Sequence, residues 1–121
     1  MARSESVRRI KSYSAATGCV YQYYFTEVRK ARRGFTAGRE YIYMVSANRK
    51  ALFPVAIFVA GDALRKWAQA AGRELTGTEE YAVAKLRLFE AFDELQNLGV
   101  APPDLRVDQS NLEALLARLD I

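Results

Sequence analysis

The sequence contains no histidine and a single cysteine, Cys19, in 121 residues. Without an imidazole, neither a Ser–His–Asp nor a Cys–His catalytic arrangement can be assembled, because both need that base. The common zinc, haem and iron–sulfur ligand sets are excluded with them. One cysteine cannot form an internal disulfide, so nothing asks for an oxidising compartment and a cytoplasmic setting is expected. The longest near-apolar run, residues 51–60, is about half of what a helix needs to span a bilayer, and no membrane association is expected. There is no Walker loop and no G-x-G-x-x-G stretch to cradle a phosphate. Acid is scarce too, but only in one half. Residues 1–50 carry eleven Lys and Arg against Glu5, Glu27 and Glu40, a balance of +8. Residues 51–121 carry seven against eleven acids, a balance of −4.

Half the residues are hydrophobic and 26% are charged, the composition of a globular chain of one domain. Residues 1–18 are Arg- and Ser-rich and read as a basic N-terminal arm. Residues 19–121 read as a single α+β domain. Residues 19–30 (CVYQYYFTEVRK) are dense in the Val, Tyr and Phe that suit a pleated surface. Residues 39–48 alternate Tyr41, Tyr43 and Val45 with Ile42, Met44 and Ser46, a period of two. Residues 53–60 (FPVAIFVA) are a short apolar run. The links between these segments, residues 31–38 and 48–50, are short, which favours antiparallel neighbours.

The period then changes. Asp62 is placed to cap a helix with Leu64, Trp67, Ala68 and Ala71 on one stripe, ending at Gly72. Thr76 and Thr78 offer competing caps for a longer helix that runs to about Asn97, with Gly99 just past its end. Residues 100–109, with Pro102 and Pro103, read as a linker. Ser110-x-x-Glu113 opens a last helix with Leu112, Leu115, Leu116 and Leu119 on one face. The expected architecture is α+β: a three-stranded antiparallel β-meander followed by two packed helices and a short C-terminal helix. That last helix is too short to persist alone, so it must dock, either on its own domain or on a partner chain.

Two features of the first half suggest a ligand. Arg29, Lys30, Arg32, Arg33 and Arg39 crowd the first link, residues 31–38, and its borders, with no acid between Val28 and Arg39 and with Gly34 and Gly38 as punctuation. Guanidinium groups on such a hairpin can follow a phosphate ladder through bidentate hydrogen bonds. Three to five such contacts on duplex DNA would give a salt slope of roughly −3 to −4.5. The same cations also suit a solvated loop that keeps sheet edges from pairing. Beside them stand Tyr13, Tyr21, Tyr23, Tyr24, Phe25, Tyr41 and Tyr43. Strand side chains alternate, so Tyr21, Tyr23 and Phe25 share a face, as do Tyr41 and Tyr43. Where register brings both sets to one exposed side, rings can stack on bases while cations follow the backbone. The other face, with Val20, Tyr24, Val28, Ile42 and Met44, would then cover the helices. Tyrosine equally serves cross-strand packing or a dimer interface. The exposure of Tyr21, Tyr23, Tyr41 and Tyr43 decides between these readings.

Glu90, Asp93 and Glu94 gather near the end of the long helix, where carboxylates oppose its dipole. One segment of acids is a weak metal signal, and these are expected to face basic groups of the hairpin or of a partner. The expected function is a small non-enzymatic binding module with no catalytic residue, cofactor or metal. Nucleic acid is its leading ligand, bound through the basic hairpin and the tyrosine face. The alternative is a protein-interaction or self-associating protein, in which the basic face of one chain meets the acidic helix of another.

Overall fold

The period-two segments of the first half become one continuous antiparallel ribbon. The structure, a computed structural model, describes residues 9–95 and 104–121. Four strands follow in order, each pairing antiparallel with the one before: β1 (Lys11–Ser14), β2 (Val20–Arg33), β3 (Thr36–Ala47) and β4 (Phe53–Ala60). Two helices, α1 (Gly61–Ala71) and α2 (Gly77–Glu94), precede β5 (Leu105–Val107), which pairs in parallel with β4. A final helix, α3 (Leu112–Arg118), follows. Among the described residues the sheet is five-stranded and mixed, in the order β1-β2-β3-β4-β5.

The α+β class therefore holds, but the expected three strands become five among the described residues, and the first two helices pack on the sheet and not on each other. Both additions have plain causes. β1 is the polar tetrapeptide KSYS inside the expected arm, with only Tyr13 to mark it. β5 is three residues long, too short to show a period, and it lies in the expected linker. Its parallel pairing is possible because the helical segment between it and β4 supplies the long crossover that such a pair requires. Residues 1–8 of the expected arm lie outside the described residues, as do Asn97, Gly99, Pro102 and Pro103.

Helix ends follow local chemistry. Gly72 closes α1 in the left-handed region at φ 78°, as a C-terminal glycine does. Thr76 and Glu79 form a full capping box on α2, which settles the competition with Thr78. Asp62 sits in the first turn of α1 rather than at its cap, which is Ala60. α2 stops at Glu94, with Leu95 extended. Ser110 bonds to Asp108 rather than capping α3, whose N-cap is Asn111.

Register decides which face is buried. Tyr21, Tyr23, Tyr41 and Tyr43 are all 5% exposed or less. They lie in one core with Val45, Ile57, Val59 and with Val83, Ala84, Leu88 and Phe92 of α2. Tyr21 stacks on Phe92 at 4.2 Å between ring centroids, and Tyr13 on Phe89 at 4.5 Å. The expectation of an open tyrosine face is thus overturned. Large rings bring more apolar area to the core than Val20 or Met44 would, and several hydroxyls find partners there. Tyr13 donates to Asp93 at 2.7 Å and Tyr21 to the Leu95 carbonyl at 3.3 Å. The face expected to cover the helices is the more open one, with Val20 43% exposed and Tyr24, Ile42 and Met44 half-buried. Leu112, Leu115 and Leu116 of α3 join the tyrosine-lined core, so the last helix docks on its own chain. No helix among the described residues is long and apolar enough to cross a membrane.

Two neighbouring tyrosines on β3 should respond oppositely to loss of their hydroxyl. Tyr41 donates to the buried carboxylate of Glu80 at 2.7 Å. The Tyr43 hydroxyl, fully buried, has no hydrogen-bond partner among the described residues. Tyr41→Phe should cost about 1.5–3 kcal/mol, whereas Tyr43→Phe should be neutral or stabilise by about 1 kcal/mol. Urea unfolding of the two variants checks this, and equal losses would contradict it.

Candidate functional site

The basic stretch is not a loop. β2 and β3 stay paired out to Arg33 and Thr36, leaving only Gly34 and Phe35 as the turn. Gly34 takes φ 62°, the positive value that two-residue hairpin turns require and that glycine adopts without steric cost. A bulge between Phe25 and Glu27 shifts the register. Before it, Tyr21, Tyr23 and Phe25 face α2. Beyond it Val28, Lys30 and Arg32 stand opposite Tyr41, Arg39 and Ala37 and continue that same side.

This shift sorts the five candidate cations. Arg29 pairs with Glu40 at 3.1 Å and with Glu27 at 4.0 Å. Arg33 pairs with Glu40 at 3.0 Å and with Asp104, and its guanidinium lies 5.1 Å from the centre of the Phe58 ring. Burial disfavours the Glu40 carboxylate, but hydrogen bonds from Arg33 and Arg29 outweigh it and hold the group below its usual value. Arg39 grips Glu80 with two nitrogens, Nε donating to Oε2 at 2.8 Å and Nη2 to Oε1. Glu80 is only 4% exposed. Burial opposes its ionisation, and hydrogen bonds from Arg39 and Tyr41 prevail, so it too is held low. Three of the five cations are therefore neutralised by acids of their own chain.

Lys30 and Arg32 remain. Both line an open cleft of about 860 Å³ between the outer part of the hairpin, α1 and the α1–α2 connection. Arg65 of α1 lines it as well. Among the described residues the side chains of Lys30 and Arg65 have no ion pair or hydrogen bond, and the Arg32 guanidinium donates only to the Phe35 carbonyl at 3.2 Å. Val59, Leu64, Ala68 and Leu75 supply apolar lining, and Glu74 adds one acid. With Arg39 and Glu80 cancelling each other, the lining carries a formal charge of +2.

Glycine sets the shape of this region. A Cβ on Gly38 would lie 2.2 Å from the Val59 carbonyl oxygen and 2.9 Å from the Phe58 ring. A Cβ on Gly61 would lie 2.9 Å from the Ala37 carbonyl oxygen. Both positions need the missing side chain so that β3, β4 and the start of α1 can approach.

Two residues of this region escaped the sequence reading. Arg65 sits on a helix, and only the fold carries it to the hairpin. Phe35 stands fully exposed at the hairpin tip. Its signal was available: a large aromatic immediately after glycine, between Arg33 and Arg39, outside any strand period.

The tyrosine half of the candidate site is not at the surface. Burial pushes the phenols of Tyr23, Tyr41 and Tyr43 up, so they stay neutral. None of the four candidate tyrosines presents an open ring for a base. The acidic cluster on α2 turns to its own chain. Glu90 pairs with Arg87 at 3.3 Å and Arg118 at 3.4 Å. Asp93 accepts from the Tyr13 hydroxyl and, at 2.9 Å, from the Ala16 backbone N–H. Among the described residues no group of three or more His, Cys, Asp or Glu side chains is placed to hold a metal ion. Comparison with protein-family models, with curated proteins and with solved structures finds no match for the chain.

Proposed function

We propose that the protein is a small non-enzymatic nucleic-acid-binding module whose phosphate contacts come from Lys30, Arg32 and Arg65. One observation carries the reading. These three cations surround one cleft without a carboxylate partner among the described residues, while Arg29, Arg33 and Arg39 each have one. Cations left without counter-ions on two walls of an open groove are poised to exchange water and small ions for phosphate oxygens. The basic excess of residues 1–50 adds a field that draws a polyanion to this end of the molecule.

Self-association is the weaker reading. Its acidic half, the α2 cluster, is largely taken up by Tyr13, Arg87 and Arg118. β1 covers only Val20 to Tyr23 of β2. The remaining edge carries a bulge and Glu27, Arg29, Lys30, Arg32 and Arg33, features that discourage strand addition.

Anisotropy titration of a labelled single-stranded oligonucleotide, at about 50 and 200 mM salt, tests the proposal. Three phosphate contacts should give a slope of log affinity against log salt of about −2. Absence of saturable, salt-sensitive binding would refute it. A slope steeper than about −3 would mean that the paired arginines also engage the ligand.

A further inference from the structure

Phe35 is the one large hydrophobic side chain among the described residues that is wholly exposed. It makes none of the ring contacts that hold the other phenylalanines and tyrosines of the sheet face. Leaving a phenylalanine in water forgoes the favourable burial available to so large an apolar surface, so its position has no account in packing. Its setting is ordered: a two-residue turn fixed by Gly34 and tied by the Arg32 guanidinium to the Phe35 carbonyl at 3.2 Å. The nearest unpaired cations, Lys30 and Arg32, lie behind it on the cleft side of the same ribbon.

We infer that Phe35 stacks on an unpaired base of a nucleic-acid strand whose backbone runs past Lys30, Arg32 and Arg65. This rests on the function proposed above and narrows its ligand to single-stranded nucleic acid. A phenyl ring stacks on any base, because every base has a π-face, and the adjacent cations then meet the phosphates on either side. The charge around the ring argues against an apolar protein partner. Anionic lipid would also suit a ring beside cations. However, a bilayer surface meets only the hairpin tip, whereas Arg65 stands across the cleft on α1, within reach of a strand laid into the groove.

The test compares the wild-type protein with Phe35→Ala, Phe35→Trp and Phe35→Leu, using one labelled single-stranded oligonucleotide and its blunt duplex. The wild type should prefer the single strand. Phe35→Ala should bind it about tenfold more weakly, with the salt slope unchanged because no phosphate contact is lost. Phe35→Trp should retain the affinity and Phe35→Leu should not. Because the side chain touches no core residue, all three variants should fold, and their thermal unfolding confirms that. Unchanged affinity in Phe35→Ala with a normal salt slope overturns the stacking role and leaves the phosphate reading intact. Equal rescue by leucine overturns stacking in favour of a simple apolar contact. No binding by the wild type overturns both. Phe35-dependent binding to phosphatidylserine–phosphatidylcholine vesicles, with no effect of Phe35 on oligonucleotides, assigns the tip to lipid and overturns the inference.

Discussion

Glu80→Ala should lower the unfolding free energy by about 3 kcal/mol, a large share of what a domain of this size possesses. The carboxylate, carried by the first turn of α2, is buried against β3 and accepts from both Arg39 and the Tyr41 hydroxyl. Its removal leaves a buried phenol without an acceptor and a guanidinium without its counter-charge. Breaking one side of a buried pair costs about 3–5 kcal/mol. The lower end applies because the Arg39 side chain is 51% exposed and can turn to water. Glu80→Gln keeps the shape and an acceptor for Tyr41, so it should lose less. It should also change the response to acid. Glu80 is held below the ordinary carboxylate value, so its contribution is present above the unfolded-state pKa of about 4.3 and is lost as pH falls through the folded value. Glu79, held at about 2 by hydrogen bonds from Arg73 and the Thr76 backbone, acts in the same direction. Urea unfolding at about pH 7 and about pH 3 should therefore show a smaller acid-induced loss in Glu80→Gln than in the wild type. An equal loss would contradict the pairing.

Lys30→Glu combined with Arg65→Glu should weaken nucleic-acid binding by about a hundredfold or more at low salt. Two of three phosphate contacts disappear, and the new carboxylates repel the ligand. The salt slope should fall from about −2 towards zero, since each phosphate contact contributes about −0.7 on a single strand. Stability should stay within about 0.5 kcal/mol, because both are exposed and neither makes an ion pair among the described residues. Arg33 makes the instructive contrast. From the sequence it is an equal member of the basic stretch, and its reversal should cost only binding. In the fold it joins Glu40, Asp104 and the face of Phe58, so reversing it would disturb the hairpin and confuse a binding assay. Full affinity in the Lys30, Arg65 variant would exclude the cleft as the phosphate site.

Much of the secondary structure was legible because its signals are local. The alternation from Tyr41 to Ser46, the stripe from Leu64 to Ala71, and the stops at Gly72 and Thr76 all act within a few residues. What escaped depends on distance or on a single register step. The bulge after Phe25 moves Lys30 and Arg32 onto the tyrosine side of the ribbon and leaves Arg29 and Arg33 on the other. Nothing in the residues around it dictates that step. Glu80 reaches Arg39 from 41 residues away and Asp104 reaches Arg33 from 71, so an acid-free stretch of sequence became a mostly neutralised stretch of structure. Alternation puts Tyr21 and Tyr23 on one face of their strand and Tyr41 and Tyr43 on one face of theirs, but it cannot say that register joins the two sets or which face the helices choose. β1 and β5 are too short to carry a period, and their pairing comes from neighbours that the fold supplies.

The most direct test follows backbone amide shifts of the ¹⁵N-labelled protein during titration with a single-stranded oligonucleotide. Perturbations are expected in residues 30–38 and along the cleft side of residues 61–68, with the sheet face of Val20, Ile42 and Met44 unchanged. Perturbations confined to that face, or none at saturating oligonucleotide, would contradict it.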